Sequence, residues 1–244
     1  MNNEKAEVES TTTKRVYDQA PSEMFGNFMQ SGWIASDLPA LEPLEVVTYA
    51  YVRRQALSAA FAGIRLVLPS GNAKVRSNDT DYIYRPDTAF AYYSGVQGSD
   101  ANEDAVLVME PHPDGGHETF LYIHPRSTRD TDAFYRDTHY GELWVGRRYT
   151  LGEAQSRYQI ATRKVTELKD FLTGTPALVL RGSDRMVDAV VASHPREEEF
   201  SIFISEQRLT KDEYEVREMQ RAVDATGFGF NDVILTLPAA AEHP

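Results

Sequence analysis

The chain has 244 residues, with 25 Lys and Arg against 37 Asp and Glu, a formal charge of −12. A surface this acidic repels a phosphate backbone and no basic run interrupts it, which excludes a nucleic-acid partner. Cysteine is absent, which removes disulfides, thiolate zinc sites, iron–sulfur clusters and thiol nucleophiles together and points to a reducing compartment. The start MNNEKAEVESTTTKR has neither the basic opening nor the apolar stretch of a signal peptide, and no apolar run reaches the ~18 residues of a membrane span. The expected location is therefore cytoplasmic, with no membrane partner.

Residues 1–44 are polar and irregular, with isolated anchors at Phe25, Phe28, Met29 and Trp33. They predict a disordered start over 1–15 and a docking extension over 16–44. From Val46, apolar residues at Val47, Tyr51, Leu57 and Phe61 predict a helix that stops at Gly63. IRLVLPSG predicts a buried strand, YIYR (82–85) a short one, and DAVLVME (104–110) and TFLYIH (119–124) two more around an Asp-Gly-Gly turn. After residue 149 helices and strands alternate. Thr150 and Glu153 form a candidate capping box, TRKVTELKDFLTG reads as an amphipathic helix, PALVLRG as a buried strand, and SDRMVDAVVASH as a helix capped by Ser183 or Asp184. SIFIS (201–205) reads as one more strand. The tail, from about Lys211 to Leu237, carries an apolar stripe at helical spacing. The fold class expected is α/β, a mixed sheet flanked by helices, with an N-terminal arm and a C-terminal helix.

Side-chain chemistry is sparse. The six histidines form no H-E-x-x-H or similar ligand pair, and Asp79-x-Asp81 offers two carboxylates without a third ligand nearby. No metal site is expected, and none should be retained stoichiometrically. His112 and His117, beside the Asp114-Gly115-Gly116 turn, read as solvated. There is no G-x-S-x-G, P-loop or G-x-G-x-x-G, so no catalytic residue is assigned. Gly227 and Gly229 read as positions of close helix packing. Two segments stand apart: RSNDTDYIYRPDTAFAYYSG, where acids, arginines and aromatics interleave, and YGELWVGRR, where Trp144 sits between Gly141 and Gly146. Buried, that Trp is a packing corner; exposed, it is a contact residue.

Those segments resemble the N-terminal domain of aminopeptidase P, the Xaa-Pro aminopeptidases, and QRLTKDEYEVREMQRAVDAT is similar to the family's linker into its catalytic half. The resemblance covers about residues 44–240. It implies a creatinase/aminopeptidase P N-terminal domain over 45–207, after the 1–44 extension, with 208–244 as linker and first helix of a catalytic domain not otherwise present. It further implies a parent enzyme that releases the residue before proline from peptides with proline second, using a dinuclear manganese centre held in that catalytic half, the chain alone being inactive and without cofactor. By the resemblance, Trp144 is substrate-binding at the active site of a neighbouring subunit, and Asp79 joins a hydrogen-bonded network near it. Arg85 becomes a structural partner of Asp79 or Asp81, and Arg147 and Arg148 order the Trp corner. The implied partners are the chain's own catalytic domain, further copies in a homo-oligomer, and proline-containing peptides. The alternatives are a stand-alone oligomerisation or peptide-recognition module, or the N-terminal domain of a prolidase- or creatinase-like enzyme. The uncovered stripe on the tail helix leads to an expectation of self-association through it.

Overall fold

The computed structural model describes residues 22–34, 41–78 and 80–242. They divide into two compact units. A smaller one draws on the N-terminal segment and Ser127–Arg147, and a larger one on the remainder.

The larger unit is built on a five-stranded mixed sheet of order β6-β5-β4-β1-β7, from β1 (Arg65–Pro69), β4 (Val106–Pro111), β5 (His117–Ile123), β6 (Ala161–Lys164) and β7 (Ala177–Val179). β1 runs antiparallel to β4 and parallel to β7, while β5 runs antiparallel to β4 and parallel to β6. Period-two alternation sends Leu66, Leu68, Leu107 and Leu121 to one face and Val67, Val106, Val108 and Phe120 to the other. Both faces are apolar because helices cover both. On the first lie α2 (Val46–Ala60), α3 (Thr88–Ser94), α6 (Leu151–Tyr158) and α9 (Glu197–Gln207); on the second lie α7 (Leu168–Leu172) and α8 (Arg185–Val190). A separate hairpin, β2 (Val75–Ser77) with β3 (Thr80–Asp81), stands outside the sheet.

Local chemistry sets the helix ends. Thr150 and Glu153 form the expected capping box of α6. Asp184, not Ser183, caps α8, accepting from Met186 N and Val187 N at 2.8 and 3.0 Å. Asp87 does the same for α3, a helix not foreseen, by accepting from Ala89 N at 2.8 Å.

Three elements correct the sequence reading. TRKVTELKDFLTG is not one helix: its Thr-Arg-Lys start belongs to β6, and α7 begins only at Leu168. SIFIS lies inside the helix α9, burying Phe200 and Ile204 one turn apart, and is not a strand. YIYR forms no strand: Tyr82 and Ile83 face solvent, while Tyr84 turns inward with its hydroxyl 2.9 Å from the Ser70 carbonyl oxygen. The tail forms α10 (Glu213–Glu242), 30 residues of which none is buried. Arg53 of α2 holds its start through Asp212 and Glu215, at 2.5 and 3.4 Å. Gly227 and Gly229 have no neighbour within 4 Å of an added Cβ, so they mark no close packing among the described residues.

Candidate functional site

The smaller unit is a corner of two short helices, α4 (Ala133–Arg136) and α5 (Glu142–Val145), with α1 (Glu23–Gln30) against it. Asp137 turns the chain between α4 and α5, its carboxylate accepting from His139 N and Tyr140 N, each at 2.9 Å. Gly141 follows because a Cβ there would run into the carbonyls of Ala133, Phe134 and Asp137. Gly146 closes α5 at φ 79°, where a side chain is strained. The sequence between the two glycines is thus held as one short turn of helix.

Trp144 is 59% exposed, and its Nε1–H donates to the Tyr135 carbonyl at 2.7 Å. One edge of the indole is anchored and the ring looks outward, flanked by the exposed Leu143 and Val145. The indole is thus exposed and at the same time fixed by its hydrogen bond. Arg148 is buried in the larger unit on Glu103 at 3.1 Å, a structural pair.

Asp79 lies outside the described residues. Asp81 sits on β3 opposite Val75 and is exposed; Arg85 is exposed too and makes no ion pair with Asp81. His117 is not the solvated residue expected. Its Nε2 lies 2.8 Å from the Ile64 carbonyl, which can only accept, so Nε2 carries the proton and Nδ1 meets Ser58 Oγ at 2.7 Å. The imidazole pins the β5 start to α2. His112 is half exposed near Asp114.

A cleft of about 480 Å³ opens at the strand ends of the larger unit, between the loops after β1 and β7. Its polar groups mostly serve one another. Asn72 donates to Asp104 and Asp184 and accepts from Arg185 N at 3.0 Å. Burial pushes the Asp184 carboxyl above the ordinary aspartate range. The neighbouring Tyr84 phenol is pushed up to about 12 by burial as well. Sequence reasoning did not find this cleft, since its residues come from segments more than 100 positions apart.

Among the described residues no group of three or more His, Asp or Glu could hold a metal ion. No helix among them is long and apolar enough to cross a membrane.

A mixed sheet covered by helices on both faces defines an α/β domain. The chain belongs to the aminopeptidase P family: residues 50–179 match the family's N-terminal domain, described as "Aminopeptidase P, N-terminal domain". It is 47% identical over 218 residues to Xaa-Pro aminopeptidase 1 of Streptomyces coelicolor, covering 87% of this chain and 43% of that protein. To Xaa-Pro aminopeptidase 2 of the same organism it is 40% identical over 216 residues, covering 87% and 45%. The chain thus spans less than half the length of these relatives. Proline aminopeptidase P II from Yersinia pestis shares the fold at a TM-score of 0.56 and 22% identity, over 72% of this chain and 42% of that one. Aminopeptidase P from E. coli with the inhibitor Pro-Leu does so at 0.55 and 22%, over 74% and 42%.

Proposed function

We propose that this chain is the N-terminal domain, over residues 45–207, of a cytoplasmic Xaa-Pro aminopeptidase that releases the first residue of peptides with proline second. Residues 1–44 are its extension and 208–244 its link to a catalytic half. The hydrolytic centre, a dinuclear manganese site, belongs to that half, and the present domain is inactive by itself. Its contribution is Trp144, presented to peptide bound at the active site of a neighbouring subunit in a homo-oligomer, with Asp79 in the hydrogen-bonded network beside it.

The observation that carries this reading is the state of Trp144, more than half exposed yet tied to the Tyr135 carbonyl in a family whose named relatives are Xaa-Pro aminopeptidases. A fixed indole offers a flat apolar face to a proline ring at little conformational cost. The exposed stripe of α10, which includes Val216, Met219, Val223 and Phe230, supplies the surface for the catalytic half.

The test is peptide kinetics in the complete enzyme. Trp144→Ala is expected to raise KM for a proline-second peptide, Trp144→Phe to restore most of it, and residues 1–244 alone to hydrolyse nothing. An unchanged KM in Trp144→Ala overturns the assignment of Trp144. Sedimentation of residues 1–244 with and without 209–244 tests the stripe: loss of self-association on truncation is expected.

A further inference from the structure

The smaller unit contains more structure than a displayed Trp requires, and that excess has a direction. α1 has eight residues and none is buried, so it is far too short to persist unaided. It is held by side chains of the same corner that carries Trp144. Gln30 Nε2 donates to Asp132 Oδ1 at 3.1 Å, the Phe25 ring meets Tyr135 edge-on at 6.1 Å, and Trp33 meets Phe134 edge-on at 5.2 Å.

Arg129 joins the two sides. Its Nη1 donates to the Ile34 carbonyl at 2.7 Å, while Nε and Nη2 reach Glu142 Oε1 at 3.3 and 3.0 Å. Glu142 has a side chain only 8% exposed and is the first residue of α5, two positions before Trp144. Tyr135 provides the second route: its ring touches Phe25, and its carbonyl accepts the Trp144 indole N–H. Each support of Trp144, the helix beneath it and the acceptor of its N–H, leads back to the N-terminal segment.

We propose that residues 22–34 are a positioning strap for Trp144, with Arg129 as the positioning residue that transmits its hold to α5. The proposal rests on the reading that Trp144 meets the peptide and adds what sets its orientation. A strapped indole loses little side-chain freedom when it binds, so the strap acts on peptide affinity and leaves the chemical step alone.

The chain has two tryptophans, so Trp33→Phe leaves Trp144 as the sole indole while keeping a ring against Phe134. In that background Arg129→Ala is expected to lower the fluorescence anisotropy of Trp144, deletion of residues 1–34 to lower it similarly, and Arg129→Lys to restore part of it. Far-UV circular dichroism should stay unchanged in the Arg129 variants and lose only the contribution of α1 in the deletion. Anisotropy unaltered by both Arg129→Ala and the deletion overturns the strap. In the complete enzyme Arg129→Ala is expected to raise KM on the order of 5-fold with kcat retained, and to add nothing once Trp144→Ala is present. An equal rise in the presence of Trp144→Ala overturns transmission through Trp144. If anisotropy falls as expected but Trp144→Ala leaves KM unchanged, the strap stands and the peptide-binding reading fails.

Discussion

In the larger unit the big apolar side chains, Leu66, Leu107, Phe90 and Phe200 among them, are sealed between a sheet and helices on both its faces. In the smaller unit Phe25, Trp33 and Trp144 stay about half exposed and are ordered by edge contacts, a carbonyl acceptor and one arginine. The first arrangement derives its stability from apolar area removed from water; the second spends directional bonds to hold apolar area in water. The contrast separates residues that keep the fold from residues held exposed, and it can be tested by substitution on either side.

The largest effect belongs to the sheet. Leu107, fully buried on β4, is expected to lose about 2–5 kcal/mol as Leu107→Ala, through lost transfer energy and the cavity left behind. Urea unfolding should show a lower midpoint at an unchanged slope.

Next comes Arg65, buried on β1, which forks onto Glu110, donates to the Phe171 carbonyl at 3.1 Å and lies 4.3 Å over the Phe171 ring. Because Glu110 keeps some solvent contact, Arg65→Ala is expected to cost about 2 kcal/mol, less than breaking a fully buried pair. Arg65→Lys should recover little of it, since an ammonium cannot reproduce the fork.

Asp184 gives a smaller, pH-dependent effect. Asp184→Ala removes the α8 cap and is expected to cost about 1 kcal/mol in thermal or urea unfolding. Asp184→Asn keeps a capping oxygen and removes the ionisation. Since burial raises this carboxyl in the folded state, the folded protein holds the proton more tightly than the unfolded chain does, and ionising Asp184 costs stability as pH rises through its folded pKa. Asp184→Asn is therefore expected to match or exceed the parent near neutral pH, and to lose that advantage as pH falls below the unfolded aspartate range. A constant difference across that window would contradict the burial argument.

The smallest stability effect is expected where the functional one is expected. Trp144→Ala should change the unfolding free energy of the chain by no more than about 0.5 kcal/mol, as for other exposed positions. A loss comparable to that of Leu107→Ala would erase the distinction between the two units.

Much of the larger unit was legible because its signals are local. Continuous apolar runs gave β1, β4, β5 and β7, and the Thr150 and Glu153 pair gave α6. α9 was misread because Phe200, Ile202, Phe203 and Ile204 form a short apolar run whose period does not separate strand from helix. The three glutamates of its first turn, Glu197–Glu199, were the missed cue. β6 falls inside the helix reading of TRKVTELKDFLTG because ATRK is polar: it is an edge strand whose Arg163 guanidinium lies 3.6 Å over the Phe120 ring. At the site, the glycines around Trp144 marked a constrained turn, but nothing local said whether the indole would be inside or out.

The sequence by itself determined the fold class, most helix and strand positions, and the family, because each depends on spacing, capping chemistry or short motifs that a linear read preserves. Only the tertiary structure decided that Trp144 faces solvent, that His117 is tied between Ser58 and Ile64, and that Arg129 joins the N-terminal segment to α5. Ile34 and Arg129 are 95 residues apart, and Ser58 and His117 are 59. Contacts at such separations follow from how whole elements pack, so neither partner carries a mark of the other in its own stretch of chain.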